Sequence, residues 1–307
     1  MKHDVVATDT GFNEGPCLLP DGTIVLTSID RGLLYRVFPE EGRTEVFADT
    51  EGGPNAAVLA ADGGVVLTQS GGHSLKNFDP DEPENELGLK HYQKTQTPRW
   101  SRPGIQTAGP GGVDFVPLDR TFQAPNDLVV HPDGSLWFTD PPALHGDTSD
   151  RLGRVWRLAS DGTLTLEASG FEYCNGILVE PDGSICIIES NGIMRLNPDK
   201  SRDWVIEDLG PGGGDGFKVD VDGRFYVASR WDHGIRVIED GKSVDFLELP
   251  GPGLTTNCCF GGPDMKTLYA TDALHGTLVA WQNMPTAGLV QTPWSGLLKE
   301  SVANANL

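Results

Sequence analysis

Basic residues are scarce in this sequence. Lys and Arg total 23 against 44 Asp and Glu, leaving a formal net charge of −21. Such a charge repels phosphate-bearing partners at range, so neither nucleic acid nor an anionic membrane is an expected partner. Simple solubility is the plainer account of the acidity, with a held cation as the alternative. Long apolar runs are missing, and no stretch reaches bilayer-spanning length. The opening MKHDVVATDTGFNEGP carries no basic-then-apolar leader. Cysteine is sparse: Cys17, Cys174, Cys186, Cys258 and Cys259 are an odd number without a CxxC spacing. Neither a disulfide framework nor a zinc site is indicated, and the thiols read as reduced core residues of a cytoplasmic protein. Extended helical periodicity is also absent. These absences leave a small-molecule protein, a monomer or small homo-oligomer, with no membrane or nucleic-acid partner.

Glycine and proline are abundant, at 39 and 22 in 307 residues, and many lie in short turn-like clusters. That pattern predicts many strands joined by tight connections. One unit recurs six times: a polar residue, a mostly apolar run, and a turn Asp seven positions on. The units are EGPCLLPDG from Glu14, NAAVLAADG from Asn55, NDLVVHPDG from Asn126, NGILVEPDG from Asn175, DGFKVDVDG from Asp215 and NCCFGGPDM from Asn257. A second apolar run follows each turn, as in TIVLTS and SLWFTD. The intervals between units are 41, 71, 49, 40 and 42 residues. A base period near 40 with four short strands per unit predicts an all-β, six-bladed β-propeller filling residues 1–307 as one domain. The strand near VVATD is expected to complete the last blade.

In a propeller the first strand of each blade lies innermost. The six leading residues, Glu14, Asn55, Asn126, Asn175, Asp215 and Asn257, are then expected in a ring at one channel mouth, each offering an oxygen to the axis. The long second interval places an insertion at about 72–103, between the second and third strands of unit two. It is polar and Pro-rich, and is expected to hang over the same mouth as a lid.

A ring of amide and carboxylate oxygens suits a hard divalent cation. Calcium is the expected ion, since it takes six to eight oxygens in irregular geometry. Mg²⁺, Mn²⁺ and Zn²⁺ are alternatives, zinc being the poorest match because it favours nitrogen and sulfur. Taken singly, each ring residue also suits an ordinary turn, because Asn and Asp bond local backbone. A cation at the mouth could polarise a carbonyl and activate water, and Asp215 is the candidate base. Asp127 is a weaker base candidate, a group orienting the ligands, or a backbone cap. His73, His145, His233 and His275 fall in loops on this face. His145 and His275, in repeated ALHG stretches, are candidate proton shuttles or substrate contacts, with exposed turn residues as the plain alternative. Arg99, Trp100 and Arg102 in the insertion could hold a polar or anionic substrate, or form a charged surface.

The pieces EGP at Glu14, PNDLVVHPDGSLWFTDP from Pro125, NGI at Asn175, DGFKVDVDG at Asp215 and TNCCFGGPDMKTLYATD from Thr256 resemble the SMP-30/gluconolactonase (regucalcin-like) family across essentially the whole chain. The resemblance implies a six-bladed propeller with a divalent cation, usually calcium, at the channel mouth. It also implies hydrolysis of a sugar lactone. It implies metal ligands Glu14, Asn126, Asn175 and Asp215, the last often proposed as general base. Asn55 and Asn257 hold equivalent ring positions, and with Asp127, His145, His275, Arg99 and Trp100 they are the candidate substrate contacts. Two departures bear on the substrate. Ala124 stands where animal members carry a substrate-contacting Arg, and DRTFQAPND replaces a basic GKRLNSPND segment. The expected function is a metal-dependent lactonase. The alternatives are a hydrolase of another ester, such as an organophosphate, or a non-catalytic calcium- or ligand-binding propeller.

Overall fold

A computed structural model of the chain describes residues 2–72, 99–142 and 152–296. Within them the chain forms six four-stranded antiparallel sheets. Blade 1 comprises β2 (Asn13–Leu18), β3 (Ile24–Ser28), β4 (Leu33–Phe38) and β5 (Arg43–Asp49). Blade 2 comprises β6 (Pro54–Leu59), β7 (Val65–Gln69), β8 (Gly104–Gly109) and β9 (Gly112–Phe115). Blade 3 comprises β10 (Leu128–Val130), β11 (Leu136–Asp140), β12 (Gly153–Leu158) and β13 (Leu164–Phe171). Blade 4 holds β14 (Cys174–Val179), β15 (Ile185–Glu189), β16 (Gly192–Leu196) and β17 (Arg202–Ile206). Blade 5 holds β18 (Phe217–Val219), β19 (Phe225–Ser229), β20 (Gly234–Glu239) and β21 (Lys242–Glu248). Blade 6 takes β22 (Thr255–Gly261), β23 (Thr267–Asp272) and β24 (Thr277–Trp281) from the end of the chain, and β1 (His3–Ala7) from its beginning.

The core is six wedges, one between each pair of neighbouring blades. This follows from side-chain alternation along strands buried on both faces. In β3, Ile24 and Leu26 face blade 6 and pack with Tyr269 and Leu278. Val25, between them, faces blade 2 and packs with Val65 and Leu67. The same division recurs around the ring, with Val129 packed on Ile177 and Ile187 between blades 3 and 4, and Tyr226 on Phe260 between blades 5 and 6. The five cysteines are buried free thiols.

The turn Asp residues have a local job. Asp133 Oδ1 accepts the Ser135 amide at 2.8 Å and its hydroxyl at 2.5 Å, and Gly134 between them has φ +83°. Glycine is favoured there because the turn needs a left-handed residue. Asp21 with Thr23 and Asp182 with Ser184 repeat the device.

One element had no signal in the repeat. After β24 the chain runs beneath the blades, at the end of the inner strands away from the ring residues. The Leu289 amide donates to Val219 O and the Val221 amide to Ala287 O, which pins it to blade 5. The Trp294 amide donates to Leu59 O and the Ala61 amide to Trp294 O, which pins it to blade 2. Blades 2 and 5 are opposite in the ring, and six residues span at most about 20 Å, so the segment passes under the channel. Trp294 ends fully buried between blades 2 and 3 with Val58, Val130 and Phe138. Trp294→Ala is expected to lower stability by about 3–5 kcal/mol, the range for a buried large aromatic. A urea-unfolding midpoint that barely moves would show that the strap contributes little.

Candidate metal and active site

The sequence EG, NG or DG at three ring positions has a steric cause. A Cβ on Gly15 would lie 2.3 Å from Ala56 Cα of the next blade. On Gly176 it would lie 2.3 Å from Asp215 O, and on Gly216 2.1 Å from Asn257 Cγ. Glycine is required because each ring residue's backbone passes against the next blade. The register of the inner strands also breaks at the ring residue, between Glu14 and Cys17, Pro54 and Ala57, Cys174 and Ile177, and Thr255 and Cys258. These bulges re-aim the side chains locally. In blades 3 and 5 the paired strand starts only at Leu128 and Phe217, so Asn126 and Asp215 precede the strands they were expected to begin.

A belt of threonines ties the backbone of three ring residues to the preceding blades. Thr27 Oγ1 donates to Asn55 O, Thr68 Oγ1 to Asn126 O and Thr139 Oγ1 to Asn175 O, each from one blade to the next. Thr256 Oγ1 closes the belt onto Asn13 O at 2.9 Å. A second device pins the chain beside four of the ring positions. Asp140 Oδ1 accepts the amides of Gln123 and Ala124, and Gln69 Oε1 those of Gly53 and Gly71. Glu189 accepts those of Glu172 and Tyr173, and Asp272 Oδ1 those of Leu254 and Leu274.

The ring is buried: Glu14, Asn55, Asn126, Asn175, Asp215 and Asn257 all fall in the interior, with Asp127. Asp127 follows Asn126 at the position that glycine fills in three other blades. Its Oδ1 accepts Leu128 N at 2.8 Å, its Oδ2 accepts Ile177 N at 3.3 Å, and the Asn257 amide is near enough to favour its charged form. Those partners lie on blades 3, 4 and 6, so Asp127 joins opposite sides of the channel. Asn257 departs from the expected pattern of six oxygens aimed at the axis. Its Nδ2 donates to Glu14 Oε2 at 2.9 Å, and its Oδ1 accepts the Cys258 amide at 2.9 Å. It holds Glu14 rather than facing the axis with a free oxygen.

Three carboxylates are therefore buried within reach of one another's charge. Burial first, then the charges of Asp215 and Asp127, hold Glu14 well above the usual carboxylate range. Burial raises Asp127 as well, opposed by the Lys218 ammonium, the Leu128 and Ile177 amides and the nearby Asn257 side chain. Burial pushes Asp215 up to about 7, aided by Asp127 and opposed by Arg230 and the Asn175 amide. Among the described residues no three His, Cys, Asp or Glu side chains form a metal-holding cluster, so a cation must draw on asparagine oxygens. The donor chemistry fits one. Every ring side chain carries oxygen, the carboxylates repel one another, and Asn55 Oδ1 is buried without a hydrogen-bond partner among the described residues.

Sequence reasoning missed three residues here. Tyr173, two before Asn175, has its phenol raised by burial and by the charges of Asp215 and Glu14. Arg230 Nε lies 3.6 Å from Asp215 Oδ2. The charge of Lys218 reaches Asp127 of blade 3, Cys17 of blade 1 and Cys258 of blade 6, which places it inside the channel. Only Lys218 left a trace, as a lone charge in the inner strand GFKV. Other expected residues lie elsewhere. Arg99 bonds Asp49 and Arg31 O at the outer edge of blade 1, and Trp100 beside it is half exposed. His275 Nδ1 sits 2.7 Å from Asp272 Oδ2, and none of its bonds reaches the ring. His233 Nδ1 meets Gly253 O. His73, His145 and residues 73–98 of the insertion lie outside the described residues.

Residues 12–274 match the family described as SMP-30/Gluconolactonase/LRE-like region. The chain belongs to that family. Among curated SMP-30/gluconolactonase relatives, a pentonolactonase of Haloferax volcanii is 26% identical, over 88% of this chain and 84% of its own. A gluconolactonase of Zymomonas mobilis is 23% identical, over 84% and 75%. Among solved structures, a calcium-binding regucalcin from Agrobacterium tumefaciens superposes with a TM-score of 0.72 at 20% identity, covering 94% of this chain and 96% of that one. This family likeness and the six sheets agree on the propeller.

The shifted Asp215 sets a pH dependence in chelator-treated protein. Its folded value near 7 exceeds the roughly 3.9 of an unfolded Asp. Across that window the native state holds a proton the unfolded chain has released, so stability falls as pH rises. Urea midpoints at pH 5 and 7.5 are expected to differ more in the wild type than in Asp215→Asn, and saturating calcium should remove the difference. Equal slopes in the two proteins would contradict this.

Proposed function

We propose that this chain is a lactone hydrolase working with a divalent cation, calcium first. The observation that carries the reading is the buried all-oxygen ring with three crowded carboxylates, in a chain whose near full-length relatives are named for lactone hydrolysis. Glu14, Asn126, Asn175 and Asp215 would hold the cation. Bound there, it would polarise an ester carbonyl and lower the pKa of a water.

The chain's own residues supply the rest. Asp215, with one oxygen left off the cation, takes a proton from the attacking water. The water oxygen bonds the acyl carbon, the ring C–O bond breaks, and the leaving alkoxide recovers a proton to give a hydroxy acid. Asn257 and Asp127 hold Glu14 and the channel wall in register. Burial of the ring keeps bulk water from competing with these contacts.

The test is acid release in a pH-stat assay with metal-loaded protein and a panel of aldonolactones and simpler lactones. Turnover is expected in the wild type, with at least a hundredfold loss in Asn175→Ala and Asp215→Asn. A protein that binds calcium yet releases no acid would overturn the reading in favour of a non-catalytic cation-binding propeller. Turnover confined to organophosphate esters would instead reassign the electrophile.

A further inference from the structure

Arg230 is the arginine that stands beside a ring carboxylate without bonding it. It follows Ser229, the last residue of β19, at the mouth end of blade 5. Eight other arginines among the described residues (31, 36, 43, 99, 157, 195, 224 and 236) hold a carboxylate within 3.0 Å. Arg230 stands 3.6 Å from Asp215, too far for a hydrogen bond. Its Nε is buried and has no hydrogen-bond partner among the described residues. Its guanidinium rests against the Trp231 ring, 5.5 Å from the centroid, which limits its swing. Its charge acts on both Asp215 and Tyr173, so it belongs to the ring's surroundings and not to the outer surface.

A buried donor left unpaired costs roughly 1–3 kcal/mol, and such groups call for an explanation. A guanidinium presents planar, parallel donors that match a carboxylate. The surrounding carboxylates would otherwise repel an anion from this site.

We propose that Arg230 is the carboxylate anchor of the site and makes this protein a binder of hydroxy acids. The proposal rests on the lactonase reading for its biological setting, but binding itself does not require turnover. The carboxylate has two sources: the acid formed by ring opening, or an acid group already present on the lactone.

The probes are gluconate, the neutral polyol glucitol, glucono-δ-lactone and a glucaric acid monolactone bearing a free carboxylate. Calorimetry uses calcium-loaded full-length protein, with Arg230→Met, Arg230→Gln and Arg230→Lys beside the wild type. Gluconate is expected to bind the wild type at least tenfold more tightly than glucitol. The Met and Gln variants should lose that preference, Lys should keep part of it, and calcium stoichiometry should stay unchanged in all. If the charged lactone also gains at least tenfold in kcat/KM over the neutral one, and loses it in Arg230→Met, the anchored group is on the substrate. If instead only product inhibition by gluconate is lost, it is on the product. Gluconate binding that is equal in wild type and a folded, calcium-binding Arg230→Gln overturns the anchor. If no lactone is hydrolysed while the variants still lose gluconate, the lactonase reading fails and the anchor stands.

Discussion

Closure of the ring is the constraint on which everything else here depends. Each blade buries both faces against its neighbours, so no wedge of core exists until the blade on its other side is in place. The last wedge is made only when β1 pairs with β24, with His3 opposite Trp281 and Val5 opposite Val279. That pairing also removes the free edge of β24. Once the circle is shut, the threonine belt can run from blade to blade, holding the backbone of Asn55, Asn126 and Asn175 and the chain at Asn13.

Closure then has an electrostatic consequence. It forces Glu14, Asp127 and Asp215 from three different blades into one water-poor space. In an open chain these carboxylates would be hydrated and ionised. In the ring, burial outweighs the hydrogen bonds offered by Gly15, Ile177, Leu128 and the Asn257 amide, and all three are pushed up. Lys218 from below and Arg230 from the side answer the charge in part. The fold therefore concentrates negative charge at the axis and leaves asparagine oxygens around it, an arrangement a hard cation satisfies. Function in this reading grows from strain between burial and charge.

Much of this was legible in the residues. The seven-residue distance from ring residue to turn Asp marks the register of all six inner strands, and Asp133 with Ser135 shows why that Asp is there. The glycines after Glu14, Asn175 and Asp215 were visible as dipeptides, although their cause, the next blade's backbone or, for Gly216, the Asn257 side chain, is a tertiary contact. Asp127 could not be read from its neighbours, because its partners Ile177 and Asn257 lie 50 and 130 residues away. Arg230 escaped for the same reason: nothing in ASRWDHG reveals that its Nε lies beside Asp215. The strap escaped because it is used once, and a method that looks for recurrence passes over a single crossing.

The central claim, that the closed ring is built around a divalent cation, is tested most directly by a crystal structure of the full chain grown in calcium. The account predicts one ion bonded by Glu14, Asn126, Asn175 and Asp215 oxygens at about 2.3–2.6 Å. A well-ordered ring without an ion at saturating calcium, its carboxylates instead hydrogen-bonded to one another, would contradict it.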